Sequence, residues 1–276
     1  MSIGGGVDKA FDRGEQVGCQ AMQIFTKNNN QWRAAPLKEE NVARYQQRQA
    51  ETGITPVVAH ASYLLNLGTP EDELWRKSID ALVVELERCE LLRIPYLVIH
   101  PGSHMSAGEA AGIARVVQAL NVVHERLPDA RVKIALENTA GQGTGLGYRF
   151  EHLASMLEGA AAGERLLVCF DTCHALVAGY DFRTPQGYAQ VFQQFDEIIG
   201  LGRLAVFHFN DSKRDVASRV DRHAHIGEGR VGLEAFRHIM NDQHLKDVPM
   251  LLETPKSEDM HEDIENLARL RALMAA

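Results

Sequence analysis

Six of the seven short apolar runs along this chain end on a residue type that ligates metals: His60, His100, Glu137, Asp171, His208 and Glu253. The runs are rich in Val, Ile and Leu and have strand length. They lie near Cys19 to Phe25, Ile54 to His60, Ile94 to His100, Arg131 to Asn138, Arg165 to Thr172, Arg203 to Asn210 and Val248 to Thr254. Helical stretches separate them, and this alternation with nearly continuous apolar strands predicts a parallel sheet covered on both faces. An α/β barrel of the TIM (β/α)8 type fits best, because its functional side chains gather at the C-terminal ends of the strands. A doubly wound open sheet would use one or two strand ends at its switch point, not six.

A closed barrel of this type has eight strands, one more than the runs supply. The chain opens on Gly4-Gly5-Gly6 and passes at once into a helical stretch, so the first barrel strand is expected to be missing from it. Either the true start lies upstream of Met1 or the protein is a seven-stranded variant. The exposed strand edges of an open barrel favour the upstream start. No proline-rich linker, low-complexity segment or repeat interrupts the rest, so residues 1–276 are expected to form one domain. The best marked helix is expected after Thr69, with Pro70 at its first position, Asp72 closing a capping box, and Leu74, Ile79, Leu82, Val83 and Leu86 on one face.

With 45% hydrophobic residues and no run of about 18 apolar ones, the chain should fold as a soluble, cytoplasmic protein with no membrane partner. The N-terminus lacks the charged and apolar regions of a secretory signal. Cys19, Cys89, Cys169 and Cys173 show no C-x-x-C spacing and read as reduced core residues. A net charge of -8 argues against a nucleic-acid partner, yet Lys213, Arg214, Arg219, Arg222 and Arg230 gather in one stretch and Lys27, Arg33 and Lys38 in another. A surface with acidic and basic faces remains open.

His174, three residues after Asp171, and Asp221-Arg222-His223 add three more candidate ligands. A lone His or acid at a strand end is more often an ordinary hydrogen-bonding loop residue, but six coincidences at strand ends are hard to explain that way. Nine ligands exceed what one zinc ion takes, and suffice for two or three ions when carboxylates are shared. The mixture of imidazole and carboxylate favours zinc or manganese. His104, His124, His152, His238, His244 and His261 read as surface or helix histidines.

These residues are embedded in motifs that resemble one family. They include Phe25-Thr26-Lys27-Asn28, Gln31-Trp32-Arg33, Ser62-Tyr63-Leu64 with Asn66-Leu67-Gly68, and His100-Pro101-Gly102-Ser103-His104. Further along stand Glu137-Asn138-Thr139-Ala140-Gly141-Gln142-Gly143, Asp171-Thr172-Cys173-His174, Val220-Asp221-Arg222-His223 and Leu252-Glu253-Thr254. In order and spacing they resemble endonuclease IV, the metal-dependent apurinic/apyrimidinic endonucleases with a TIM-barrel fold.

The resemblance implies a DNA-repair hydrolase that cuts the phosphodiester bond 5′ to an abasic site, leaving 3′-hydroxyl and 5′-deoxyribose phosphate ends. It implies three zinc ions, with manganese possible at one. His60 and His100 would hold one ion, Glu137 would bridge it to a second held by Asp171, His208 and Glu253, and His174, Asp221 and His223 would hold the third. Glu137 and Glu253 would be the catalytic carboxylates, with Glu253 positioning the attacking water. The implied partner is double-stranded DNA bound by a monomer, with Tyr63 and Leu64 as wedges, Asn30 facing the lesion, and Lys27, Lys213 and Arg222 on phosphates. Asn138 and Asn210 are expected to orient ligands rather than touch DNA.

The chain departs from the family pattern at Asn30, where members commonly carry Arg, and at Ala61, where a polar residue often supports the first ligand; Ala61 is expected to loosen the setting of His60. Two other readings stay open. A sugar isomerase or epimerase of the related barrels would use Glu137, Asp171, His208 and Glu253, but has no need for His174, Asp221 and His223. A lesion-binding protein without turnover would leave the ligand set unused, at a desolvation cost with no return.

Overall fold

The structure, a computed structural model, describes residues 1–275. The chain folds into two compact units, one of Met1–Glu137 with Ser155–Leu167 and the other of Asn138–Ala154 with the chain from Val168 onward. The elements run in the order α1 (Lys9–Val17), β1 (Met22–Ile24), α2 (Glu39–Thr52), β2 (Val57–His60), α3 (Asp72–Leu92), β3 (Tyr96–Ile99), α4 (Glu109–Arg126), β4 (Lys133–Glu137) and α5 (Phe150–Gly159). They continue as β5 (Leu166–Asp171), α6 (Thr172–Ala178), α7 (Pro185–Ile198), β6 (Leu204–Phe209), β7 (Asp211–Ser212), β8 (His223–Ala224), α8 (Leu233–Met240), β9 (Met250–Leu252) and α9 (His261–Arg271).

In the first unit β1 to β4 pair in parallel in chain order. Val57, Val58 and Ala59 of β2, Leu97, Val98 and Ile99 of β3, and Ile134, Ala135 and Leu136 of β4 are all buried. Successive side chains of a strand point to opposite faces, so burial at consecutive positions means that both faces are covered. The register pairs Ile99 with Leu136, which puts His100 and Glu137 on the next rung.

In the second unit β5, β6 and β9 pair in parallel, and the register sets Asp171 directly opposite His208. Among the described residues the seven parallel strands fall inside the seven predicted runs, trimmed at both ends except in β2, which keeps its last residue, His60. The second unit also holds a feature without a sequence signal: β7 and β8 pair antiparallel, Ser212 opposite His223. Two residues per strand are too few to leave a periodicity.

The helix after Thr69 starts later than its cap signals suggest. The buried Thr69 hydroxyl accepts the Glu71 N–H at 3.1 Å and the Thr69 carbonyl accepts from Arg115 at 3.2 Å, so Pro70 stays outside a helix whose first residue is Asp72. The hydroxyl closes a local turn in place of a cap. Of its expected apolar face, Ile79, Leu82, Val83 and Leu86 are buried and Leu74 is half-buried. No described helix is long and apolar enough to cross a membrane. Cys89, Cys169 and Cys173 are buried, Cys19 is half-buried, and no two of the four are joined by a disulfide.

An aromatic cluster anchors α7 in the second unit. Thr184 caps the helix by accepting the Gly187 N–H, and Pro185 follows at its first turn. Phe195, fully buried, meets Phe150 edge-on at 5.2 Å and Phe170 at 6.0 Å. Phe195→Ala is expected to cost about 3–5 kcal/mol of unfolding free energy, because the surrounding rings cannot fill the space. Urea or guanidinium unfolding curves measure this directly.

Candidate metal centre

In the first unit His60 and Glu137 close their strands and His100 follows its own by one residue; the register sets His100 beside Glu137, with His60 opposite Val98 two residues below His100. Glu137 is fully buried and His60 nearly so. Both histidines turn Nε2 to the same carboxylate oxygen: His60 lies 3.2 Å and His100 3.1 Å from Glu137 Oε2. His60 donates its Nδ1 hydrogen to the Ala61 carbonyl at 2.6 Å.

A carbonyl only accepts, so this bond leaves Nε2 of a neutral ring with its lone pair directed at a carboxylate. Two electron-rich atoms so close repel unless a proton or a metal ion lies between them. These three side chains therefore have the chemistry of a cation site, and their ligand atoms all lie within 4.8 Å of one another. The expectation that Ala61 loosens His60 is corrected here: the support is the main-chain carbonyl, which any residue at that position supplies.

The second unit repeats the pattern. Asp171 ends β5 and caps α6, accepting the His174 N–H at 2.7 Å, so the Asp-Thr-Cys-His spacing puts acid and imidazole on one side of the helix start. His174 gives Nδ1 to the Asn138 carbonyl at 3.0 Å and turns Nε2 to Asp221 at 3.2 Å. His223 gives Nδ1 to the Glu253 carbonyl at 3.2 Å and turns Nε2 to the other Asp221 oxygen, also at 3.2 Å. His208 presents Nδ1 instead, 3.2 Å from Glu253 Oε2 and 4.0 Å from Asp171 Oδ2. Asp171 thus faces two sets, His174 with His223 and His208 with Glu253.

Burial works against charge on both members of the Asp221–His223 pair, but their mutual contact outweighs it. With His174 and His223 beside it, the Asp221 carboxyl sits far below the usual carboxylate range. The Asp221 hydrogen bond and the Asp171 charge raise His223 to about 9. The Cys173 thiol also lies within reach of Asp221 and His223, and burial pushes it up to about 12, so it stays protonated.

The residues that aim these ligands were legible in part. Asn138 holds the Asp171 main chain at both ends, accepting its N–H at 2.7 Å and donating to its carbonyl at 3.1 Å. Asn210 donates to Asp171 Oδ2 at 2.6 Å and accepts the Glu253 N–H at 2.9 Å. Thr172 and Asn266 escaped sequence reading. Thr172 fixes the Asn210 main chain through its hydroxyl, and Asn266 joins the Ile226 N–H, the Thr254 hydroxyl and His225; a buried Asn within an amphipathic helix was the only signal for the latter.

Tyr63 is 54% exposed and rests against the rings of His60, His100 and Phe25 at 5.0, 5.8 and 5.5 Å. Leu64 beside it is half-buried, and Asn30, Lys213 and Arg222 are exposed. Lys213 and Arg222 flank the β7–β8 ribbon, joined by the Lys213 N–H to Arg222 carbonyl bond at 2.9 Å. Lys27 differs from expectation. It is buried, its ammonium 3.3 Å from Glu85 and 2.6 Å from the Gln31 carbonyl, and so is turned away from any phosphate.

The family described as "Xylose isomerase-like TIM barrel" matches residues 11–273. A relative from Chloroflexus aurantiacus named "Probable endonuclease 4" is 55% identical over 274 residues, covering 99% of this chain and 96% of its own. A relative of the same name from Geobacter sulfurreducens is 48% identical over 274 residues, covering 99% and 93%. The crystal structure of endonuclease IV from Thermus thermophilus aligns with a TM-score of 0.86 at 38% identity, over 99% of this chain and 96% of that one. Matched along almost its whole length in sequence and in fold, the chain belongs to the endonuclease IV family, with the TIM-barrel architecture that its alternating strands and helices predict.

Proposed function

We propose that this protein is a DNA-repair endonuclease that hydrolyses the phosphodiester bond 5′ to an abasic site in duplex DNA, leaving a 3′-hydroxyl and a 5′-deoxyribose phosphate. The observation that carries the reading is the repeated geometry of His60, His174 and His223, each with Nδ1 on a main-chain carbonyl and Nε2 facing a carboxylate. The sugar isomerase alternative leaves His174, Asp221 and His223 without a role. Relatives named endonuclease 4 support the nuclease.

In this reading three ions, zinc with manganese possible at one, would be held, one by His60, His100 and Glu137, one by Asp171, His208 and Glu253, and one by His174, Asp221 and His223. Such ions supply Lewis acidity toward phosphate oxygens and lower the pKa of water toward neutrality. The chain's own groups do the rest. Glu253, whose side chain is 17% exposed where Glu137 and Asp171 are fully buried, positions the attacking water. Asn210 holds both Asp171 and the Glu253 main chain, so one amide aligns two acids. Tyr63 and Leu64 enter the duplex at the lesion, where the missing base makes unstacking cheap, and Lys213 and Arg222 meet phosphates. The protein acts as a monomer in the cytoplasm, because nothing in this scheme calls on a second subunit.

The deciding experiment is incision of a duplex carrying one tetrahydrofuran abasic analogue, which cannot undergo β-elimination. Metal-loaded protein is expected to cut on its 5′ side and the EDTA-treated control to lose the activity. No incision by fully loaded protein would overturn the proposal. Asn210→Ala should lower metal affinity or incision about 10–100-fold, as loss of a group that aims ligands does elsewhere; metal titration of purified protein gives the affinity. Asn30→Arg restores a cation to the loop and is expected to steepen the salt dependence of duplex binding by about 0.9 in log–log slope. Equal slopes for the two proteins would count against a DNA contact at this position.

A further inference from the structure

Beneath the two loops that carry Asn30 and Tyr63 lies an ion pair with no part in the chemistry above. Glu85 projects from α3 and is 1% exposed, and Lys27, just beyond β1, is 5% exposed. Glu85 Oε1 accepts the Ser62 N–H at 3.0 Å and faces the Lys27 ammonium at 3.3 Å. Lys27 in turn donates to the Gln31 carbonyl at 2.6 Å. The Ser62 hydroxyl reaches the Asn29 carbonyl at 2.5 Å and accepts the Leu64 N–H at 3.3 Å. One turn along α3, Arg88 donates to the carbonyls of Thr26 and Ala35.

Nearly all these bonds end on main-chain groups of residues 26–35 and 62–64. Those segments contain Asn28-Asn29-Asn30, which cannot hold a loop by apolar packing. A buried ion pair is also a poor source of net stability, because desolvation of both charges offsets their attraction. What this pair supplies is direction. It ties the start of one loop and the turn of the other to the same helix.

We propose that the Glu85–Lys27 pair is a positioning brace that locks the Asn30 loop to the Tyr63–Leu64 loop and thereby sets how those side chains engage damaged duplex DNA. The engagement rests on the nuclease reading; the brace itself does not. Both residues spend their hydrogen bonds on the main chain of the two loops, and act through Ser62 and Gln31.

The test is the double variant Glu85→Gln/Lys27→Met, which removes both charges together, keeps their volume, and leaves Arg88 on the Thr26 and Ala35 carbonyls. Amide hydrogen exchange is expected to rise on the order of tenfold in residues 26–35 and 61–66 and nowhere else, by local opening. With the tetrahydrofuran duplex, KM should rise on the order of tenfold while kcat at saturation stays the same, the signature of lost substrate binding. Bound metal and the unfolding midpoint should match the wild type.

Unchanged exchange and unchanged KM in the folded double variant would overturn the brace. So would a joint fall in kcat, bound metal and midpoint, which marks an ordinary core pair. A wild type that does not incise would sink the nuclease reading, and exchange in the two loops would still decide the brace.

Discussion

The hydrogen bond from an imidazole Nδ1 to a main-chain carbonyl is the interaction on which the site depends. It occurs at His60, His174 and His223, and each time it selects the tautomer, fixes the ring plane and sends the other nitrogen toward a carboxylate. The acceptors belong to Ala61, Asn138 and Glu253, residues at or just beyond strand ends, so ring orientation follows from the sheet. A one-residue slip of any strand would reverse its faces and turn ligand into core. Precision in the site is therefore a consequence of sheet register, and the apolar runs that set the register are part of the chemistry.

The acids impose the complementary constraint. Glu137 and Asp171 are both fully buried, and an ionised carboxylate removed from water costs several kcal/mol unless charge or hydrogen bonds replace the lost hydration. Asp171 recovers part of that cost from the His174 N–H and the Asn210 amide. Glu137 recovers it from two imidazoles on one oxygen, an arrangement that demands positive charge between the partners. Cation binding and folding are coupled in such a site, since the ligands are brought together only by the folded sheet. The polar residues around it, Asn138, Asn210 and Thr172, fully or almost fully buried, then serve to keep acids apart from water as much as to aim them.

Legibility in the sequence followed the range of the interaction. Strands such as Tyr96–Ile99 were readable because burial on both faces writes itself as a continuous apolar run, and the candidate ligands stood out because they end those runs. Asn210 was readable by adjacency to His208. Lys27 was not: the ion pair that buries it reaches 58 positions along the chain to Glu85, and a lysine inside a loop motif carries no mark of that partner. Thr69 and Pro70 misled for a related reason. Their capping pattern is local, but Arg115, from another helix, takes the Thr69 carbonyl and keeps the segment extended. Ala61 misled because its side chain was weighed when its carbonyl does the work.

Burial of Lys27 also changes how an acidic protein would hold an acidic polymer. With Lys27 inside and Asn30 where a cation is common in the family, the loops of the first unit keep Arg33 and Lys38 as exposed cations and present an exposed Tyr63 ring seated on two imidazoles, with Leu64 beside it. In the second unit Lys213, Arg214, Arg219, Arg222 and Arg230 are all exposed between β6 and α8. The Arg219 guanidinium lies 4.4 Å from the Tyr148 ring centre, and Arg222 donates to the Asp221 carbonyl, so part of that charge is held in place by the loop that carries two candidate ligands. In the nuclease reading these local groups of cations supply attraction to the backbone, a division between local and net charge. A net charge of -8 is compatible with this division, because phosphate contacts respond to the field within about 10 Å and not to the sum over the whole molecule.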